Sequence, residues 1–190
     1  VAPILRLTPE GDGPKAAPQL APAMWGLVPS WWNKPLSEKR FATHNARAET
    51  VCGSNTFRGA FRRKRCLVPA SGFYVWTGEG RTKQAYAVGL RKRAWFCFAG
   101  LWDRVMIDGS ELDTFTILTQ VPNDVLAVLD ARSPVIPDPA DYGAWLDPST
   151  PVRTLCRIME PPPADAMHAW PVGPAVGNVR NQGPELIAEV

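Results

Sequence analysis

Prolines limit the length of regular structure that this chain can form. The sequence contains 20 prolines among 190 residues, and each proline removes a backbone N–H donor and disfavours helix interiors and central strands. We therefore expect short strands and a few short helices joined by ordered connections. Hydrophobic residues make up 45% of the chain and charged residues 21%, which is typical of soluble globular proteins.

The stretch 65–76 carries the clearest strand signal. An apolar run at 66–68 and an aromatic, β-branched run at 73–76 lie on either side of a Pro-Ala-Ser-Gly sequence. This pattern predicts a central hairpin, with Gly72 providing backbone freedom in its turn. Alternation along the second strand places Val75 on the face opposite its two aromatic neighbours.

Similar short runs predict the remaining elements. Strands are expected at 4–7, 23–28, 85–90, 94–102, 114–119 and 169–172, with 94–102 apolar on both faces and therefore central. Short helices are expected at 57–64, 122–129, 139–146 (with Asp138 as N-cap) and 152–159, and residues 103–113 are expected to form a polar excursion. This order predicts one α+β domain over residues 1–190, built on a curved, mostly antiparallel sheet.

The cysteine pattern does not favour a metal site. Cys52, Cys66, Cys97 and Cys156 have wide, unrelated spacings, and the chain has 2 histidines. We expect four reduced thiols, with Cys66 and Cys97 in the core, and neither a metal nor a cofactor. No apolar run approaches the roughly 20 residues that cross a bilayer, and the first residues do not resemble a secretory signal. A cytoplasmic or nucleoid-associated location is therefore expected.

Positive charge is clustered, although the formal net charge is only +3. The clusters are Arg58, Arg62, Arg63, Lys64 and Arg65, followed later by Arg91, Lys92 and Arg93. Such patches favour a polyanionic partner, and the alternative is a solvated helix face with a basic turn. The adjacent Trp31 and Trp32 would point to opposite sides of an extended chain, so one indole is expected near the surface, as a platform for a base or as a cover for the core.

Five separated blocks of sequence occur in an order that resembles the SRAP family, the SOS-response-associated peptidases. The blocks are Trp25-Gly26-Leu27-Val28-Pro29-Ser30-Trp31-Trp32, Asn45-Ala46-Arg47-Ala48-Glu49-Thr50, the stretch 65–76, Arg132-Ser133-Pro134-Val135, and the closing segments at 170–172, 176–178 and 184–187. The resemblance implies a β-barrel-like core, a positively charged groove for single-stranded DNA, and crosslinking to abasic sites in DNA damage. We expect single-stranded or abasic-site DNA as the partner, with no membrane association and no obligate protein partner.

In that family the reactive residue is a cysteine that becomes N-terminal when the initiator Met is removed. Its α-amine condenses with the aldehyde of the ring-opened abasic sugar, and its thiol then closes a stable thiazolidine. Here Val1 resembles a position well inside the family's domain, so we expect the sequence to lack the family's first segment. A valine amine could form at most a reversible imine.

The resemblance also implies the site residues. Asn45, Asp130 and Val75 occupy catalytic positions, and Trp32, Arg47, Trp76 and Arg132 are expected to bind DNA. Asn45 and Arg47 match the family pattern, whereas Val75 stands where the family has glutamate and Asp130 where it has histidine. Val75 cannot transfer a proton, and an aspartate with the usual pKa of about 3.9 is a poor acid at neutral pH. Weakened chemistry is therefore expected.

Several of these residues also allow a structural interpretation. His44 could replace the missing acid–base group, although its side chain should diverge from that of Asn45 in extended chain. Asp130 could form a salt bridge or cap a turn, and Trp76 could belong to the core.

Three functional hypotheses follow, and the sequence leaves open whether the chain is still an enzyme. The first is a DNA-crosslinking SRAP domain, active if a native N-terminal Cys exists. The second is a non-catalytic protein that binds single-stranded or abasic DNA. The third is a thiol hydrolase using Cys66 or Cys52.

Overall fold

The computed structural model describes residues 1–7, 17–80 and 83–190. They divide into two compact units. The first unit, unit 1, contains Val1–Pro69, Cys97–Gln120 and Pro134–Glu160, and the second, unit 2, contains Ala70–Phe96, Val121–Ser133 and Pro161–Val190.

Most of the described elements are short, as the proline content predicts, and the exceptions are the strands of 12 and 11 residues at Phe96–Ile107 and Ser110–Gln120. The strands are β1 (Ala2–Leu7), β2 (Pro18–Trp25), β3 (Asn45–Arg47), β4 (Arg65–Ala70), β5 (Phe73–Thr77), β6 (Gln84–Leu90), β7 (Phe96–Ile107), β8 (Ser110–Gln120), β9 (Ser133–Pro134) and β10 (Met167–Val172). The α-helices are α1 (Arg58–Arg63), α2 (Asp124–Ala127), α3 (Tyr142–Leu146) and α4 (Val152–Ile158). Single 3₁₀ turns cover Leu36–Glu38, Pro139–Asp141, Ala164–Ala166, Pro174–Gly177 and Pro184–Ile187.

Unit 1 is built on a closed barrel of five strands. The strand order is β2-β1-β4-β7-β8, and β2 pairs with β8 to close the ring. The closing pair is parallel and short, joining Met24 to Thr114 and Trp25 to Phe115. With the short helices, the barrel confirms the predicted α+β fold with a β-barrel-like core.

Helices α1, α3 and α4 contribute to the main hydrophobic core of unit 1. Phe61, Trp145 and Leu155 are each at most 2% exposed and pack in one cluster with residues of β4, β7 and β8. The predicted helix at 139–146 begins with Asp138, whose side chain accepts from the Ala140 N–H at 3.0 Å and is an N-cap as expected.

The Arg65 side chain forms hydrogen bonds to the C-terminal ends of both α1 and α3. Its guanidinium is buried and donates to the carbonyls of Phe61 (2.6 Å) and Arg62 (3.0 Å) at the end of α1. It also donates to the carbonyls of Trp145 (2.6 Å) and Asp147 at the end of α3. Terminal helix carbonyls have no partner within the helix, so one side chain satisfies both ends.

Unit 2 contains a separate antiparallel sheet with the strand order β10-β6-β5. Ala85, Ala87 and Val172 form a small buried cluster there, against which Tyr74, Trp170 and Val176 pack. Helix α2 begins at Asn123, whose side chain accepts from the Leu126 N–H at 3.2 Å.

The predicted central hairpin is wrong. Both strands exist, but β4 pairs with β1 and β7 in the barrel, while β5 pairs with β6 in the smaller sheet. Gly72, which lies between them, has no positive φ. A Cβ there would lie 2.8 Å from the Val88 carbonyl oxygen, so close backbone approach explains the glycine.

The polar excursion predicted at 103–113 is also wrong. Strands β7 and β8 run through it as a long antiparallel hairpin in which Ile107 pairs with Ser110. Its two-residue turn has positive φ at Asp108 (49°) and Gly109 (79°), as in a type I′ turn. The polar residue Asp103 escaped recognition as a strand residue because it is buried in hydrogen-bonded contacts rather than exposed.

None of the helices within residues 1–7, 17–80 and 83–190 is long and apolar enough to cross a bilayer.

Replacing Arg65 by methionine should lower the free energy of unfolding by about 3 kcal/mol or more, because buried carbonyls would lose their donor. Urea unfolding followed by circular dichroism measures this difference. Arg63→Met, at an exposed position of α1, is the matched control and should stay within about 0.5 kcal/mol of wild type. Equal effects of the two substitutions would contradict the role assigned to Arg65.

The four thiols of the native protein should fall into two classes of reactivity towards a chromogenic thiol reagent. The four cysteines are free, Cys52 and Cys156 are exposed, and Cys66 and Cys97 are buried. Burial raises the pKa of both buried thiols, which lowers their thiolate fraction as well as their access. Two thiols should therefore react at once and two only in denaturant. Rapid reaction of a third thiol would contradict the core placement.

Candidate functional site

Strand β3 presents two of the predicted site residues on one face. It pairs in parallel with β8, with Asn45 opposite Ile117 and Arg47 opposite Thr119. Ala46 between them is 3% exposed, whereas Asn45 and Arg47 are both exposed. Alternation therefore places an amide and a guanidinium side by side on the surface of unit 1. An amide can orient a polar reactant, and a guanidinium can hold a phosphate bidentately.

Trp32, the predicted stacking residue of unit 1, lies in an aromatic cluster. Its ring centroid is 6.3 Å from that of Trp31 and 5.6 Å from that of Phe41, and its Nε1–H donates to the Lys34 carbonyl at 2.6 Å. The prediction that the two indoles point to opposite sides assumed an extended chain. The backbone forms a turn here, in which the backbone N–H of Trp32 donates to the Pro29 carbonyl, and the two rings lie close together. Trp31 is the more exposed of the two, at 58%.

The His44 ring packs against Trp25 and lies near Gly26. Its ring makes an edge contact with Trp25 at a centroid distance of 5.7 Å, and its Nε2 atom would lie 3.3 Å from a Cβ added at Gly26. Its carbonyl accepts from Trp25 Nε1 at 2.7 Å. His44 is thus a surface histidine packed against a tryptophan.

In unit 2, β5 places Val75 and Trp76 on opposite sides of the strand. Val75 pairs with Tyr86 of β6 and is 4% exposed, whereas Trp76 pairs with Ala85 and is 41% exposed. Trp76 is therefore available for stacking rather than confined to a core. Its ring lies 6.2 Å from that of Tyr74, and the Lys83 ammonium lies 5.9 Å from the Trp76 ring centroid.

Asp130 and Arg132 form a local turn after α2. The exposed Asp130 carboxylate accepts from the Arg132 backbone N–H at 3.1 Å, and the Asp130 N–H donates to the Leu126 carbonyl at 2.9 Å. The geometry supports the turn-capping interpretation of Asp130. Arg132 is half-buried.

One of the five basic residues clustered around α1, Arg65, is buried rather than on the surface. Arg58, Arg62 and Arg63 are exposed and Lys64 is half-buried, but the guanidinium of Arg65 is internal, as described above. Sequence proximity suggested five surface charges, and a buried helix-capping role could not be read from it.

Sequence reasoning missed Asp103, a buried carboxylate below this cluster. It accepts from Lys64 Nζ at 2.6 Å, the Ser30 N–H at 2.7 Å and the Arg104 N–H at 2.9 Å. The sequence signal that could have located Asp103 is the pair Asp108-Gly109, which is typical of a type I′ turn and therefore indicates a hairpin with strands on both sides.

Cys66 lacks the environment of a nucleophile. Its side chain is completely buried, and a Cβ added at Gly100 would lie 2.9 Å from its sulfur. Desolvation raises the pKa of this thiol, and desolvation also raises that of Cys52. Reactive cysteines have the opposite shift, so the geometry disfavours the thiol hydrolase hypothesis.

Within residues 1–7, 17–80 and 83–190, no three His, Cys, Asp or Glu side chains come together as ligands.

Comparison with known proteins gives one consistent result. The family described as "SOS response associated peptidase (SRAP)" matches residues 2–179. Abasic site processing protein YoqW of Bacillus subtilis (strain 168) is 35% identical over 173 residues, covering 89% of this chain and 76% of that protein. Abasic site processing protein YedK of Escherichia coli (strain K12) is 30% identical over 173 residues, covering 90% and 75%.

A solved structure supports the same relationship. The crystal structure of a protein from Bacteroides thetaiotaomicron superposes with a TM-score of 0.84 at 26% identity, covering 99% of this chain and 80% of that one. The resemblance found in the sequence is thereby confirmed. Because a single family model spans nearly all of the sequence, the chain belongs to the SRAP family.

Proposed function

We propose that this chain binds single-stranded DNA at abasic sites, and that its proton-transfer chemistry is weakened. The names of its relatives, abasic site processing proteins, supply the class of ligand. The observation that carries the proposal is the exposed pair on β3, in which Asn45 and Arg47 point to the same side while Ala46 is buried.

The binding part of the function needs no titratable group. Arg47 pairs with a backbone phosphate, and the Asn45 amide hydrogen-bonds to the sugar or to its aldehyde form. The exposed Trp76 ring and the partly exposed Trp32 ring offer surfaces for unpaired bases. Stacking on an aromatic ring contributes about 1 to 3 kcal/mol per base and tolerates any sequence. Arg132 adds a further positive charge in unit 2.

The chemical part depends on groups that this chain lacks or uses elsewhere. Val75 is buried and has no exchangeable proton. The Asp130 carboxylate already accepts a backbone hydrogen bond within its own turn. Loss of general acid–base groups typically slows a reaction by about 10²- to 10⁴-fold.

These two observations also favour a second candidate function, a protein that binds abasic DNA without reacting. The two candidates share their recognition residues and differ only in covalent capture, so one experiment distinguishes them.

Arg47→Ala should weaken binding of an abasic single-stranded oligonucleotide by about 10- to 100-fold, because a charge-assisted contact with phosphate contributes about 1.5 to 3 kcal/mol. Fluorescence anisotropy on the full-length native protein measures this loss. Arg153→Ala, at an exposed position of α4, is the control of equal charge and should change affinity less than about 2-fold.

The same samples are then separated on native and denaturing gels. Salt-sensitive retention on the native gel, with a slow or absent covalent band, supports the proposal. A rapid covalent band would overturn the weakened-chemistry part, and equal binding by Arg47→Ala and wild type would overturn the recognition part.

Val75→Glu should be destabilising in a pH-dependent manner. Burial raises the folded-state pKa of the new carboxyl above its unfolded value of about 4.3. A raised carboxyl pKa does not lower the free energy of unfolding at pH values below the unfolded-state pKa. Above that pKa, the loss of unfolding free energy grows as the pH rises. We expect an additional loss of about 1 to 3 kcal/mol in unfolding free energy between pH 4 and pH 7.

The matched control is Val75→Gln, which has nearly the same shape and cannot ionise. Its deficit relative to wild type should not vary with pH. Parallel pH profiles for the two variants in chemical denaturation would show that position 75 is solvated.

A further inference from the structure

Lys39 is a half-buried amine on the connection that leads into β3. It lies in unit 1, directly after the 3₁₀ turn Leu36–Glu38 and six positions before Asn45. It forms no ion pair with a carboxylate among the residues that the structure describes. The neighbouring Glu38 carboxylate lies 4.0 Å from the Lys34 ammonium instead. None of the recognition steps proposed above uses the Lys39 amine.

Contacts with Phe41 hold the Lys39 side chain in place. The Lys39 Nζ atom donates to the Phe41 carbonyl at 2.9 Å and lies 4.9 Å from the Phe41 ring centroid. The Phe41 ring in turn makes an edge contact with Trp32 at a centroid distance of 5.6 Å. The amine is therefore positioned beside aromatic rings rather than extended into solvent.

The connection that carries Lys39 is fixed to the barrel just before the exposed pair on β3. The Ile117 N–H of β8 donates to the His44 carbonyl at 3.0 Å. Four residues of fully extended chain span at most about 14 Å, so Phe41 lies within that distance of Asn45. The flexible stem of lysine extends the reach of the amine towards a sugar bound at the strand.

Burial lowers the pKa of the Lys39 amine below the usual value for lysine, because desolvation disfavours the ammonium form. The carbonyl and the ring of Phe41 both favour the ammonium, and they do not outweigh the loss of water. A lower pKa increases the fraction of neutral amine at neutral pH. The neutral amine is the form that attacks a carbonyl carbon, and apolar surroundings activate imine-forming lysines in this way.

We propose that Lys39 is a nucleophile that captures the aldehyde of a ring-opened abasic sugar held by Asn45 and Arg47. The lone pair of its neutral Nζ atom attacks the aldehyde carbon while a proton moves from the nitrogen to the carbonyl oxygen. The new hydroxyl group then leaves with its electron pair, and the nitrogen gives up its second proton. One amine and one aldehyde thus form a carbon–nitrogen double bond and one water molecule.

The inference rests on the proposed function, because it requires an abasic sugar beside the β3 pair. It adds a covalent step in which no thiol takes part. An imine is reversible, so it is lost on a denaturing gel unless a reductant has first converted it to a stable amine. This capture is therefore compatible with a slow or absent covalent band when no reductant is present.

The test is reductive trapping with the full-length native protein and an abasic single-stranded oligonucleotide. Sodium cyanoborohydride reduces an imine to a secondary amine, and the trapped product is measured on a denaturing gel. Lys39→Arg keeps the positive charge and removes the nucleophile, so the trapped product should fall by about 10-fold or more. Its affinity in fluorescence anisotropy should stay within about 2-fold of wild type, because the charge is unchanged.

Lys34→Arg is the matched control on the same connection, at an exposed position. It should leave the amount of trapped product unchanged. Peptide mapping by mass spectrometry should place the sugar remnant on Lys39. The rate of trapping should also level off at a lower pH than that of Nα-acetyl-lysine amide with the same oligonucleotide, because the pKa of the Lys39 amine is lowered. A pH profile equal to that of the free amine would contradict the assigned role.

Failure of this inference is distinguishable from failure of the proposed function. If the wild-type protein binds the oligonucleotide but gives no trapped product, or carries the sugar only on other amines, this inference fails and the binding proposal stands. Equal trapping by Lys39→Arg and wild type would overturn the assignment in the same way. If the wild-type protein does not bind the abasic oligonucleotide, both proposals fail.

Discussion

Strand β8 is the element on which the arrangement of unit 1 depends, because it pairs with more than two partners along its length. It forms the long hairpin with β7, closes the barrel through its parallel pair with β2, and pairs in parallel with β3. Backbone donors and acceptors in a buried strand must be satisfied, so each partner is fixed in register. The positions of Asn45 and Arg47 on the surface follow from that register.

Buried charges in the barrel are paired rather than isolated. The Arg6 side chain is 4% exposed, forms an ion pair with Asp113 at 2.9 Å and stacks 3.8 Å from the Trp102 ring centroid. Desolvation lowers the pKa of Arg6, and Asp113 opposes that shift. Asp103 is likewise satisfied by three donors. Removing one partner of such a pair is expensive because the other charge remains buried, so these polar groups fix the barrel strands and the turn before Trp31 in definite positions.

Recognition and chemistry depend on different physical requirements in this molecule. Phosphate pairing and base stacking need charge, exposure and shape, which Arg47 and Trp76 retain. Proton transfer needs an ionisable group with a suitable pKa and a free position, which Val75 cannot supply and which the hydrogen-bonded Asp130 does not readily supply. A binding surface can therefore persist while individual catalytic positions change, and this is the physical basis of the proposal that the chain binds abasic DNA with weakened chemistry.

Local sequence determined most of the short strands and helices and the N-cap at Asp138, because these depend on contacts between neighbours in the chain. The order of five separated blocks identified the family. Only the tertiary structure decided that β4 and β5 enter different sheets, that Arg65 is internal, and that Asp103 lies beneath the turn before Trp31. Strand partners and burial are set by pairings between residues far apart in sequence, and strand alternation is the same whichever partner is chosen. The physical reason is that the periodicity of the sequence specifies which side chains share one face of a strand or helix. Packing between residues far apart in the sequence decides which other elements cover that face.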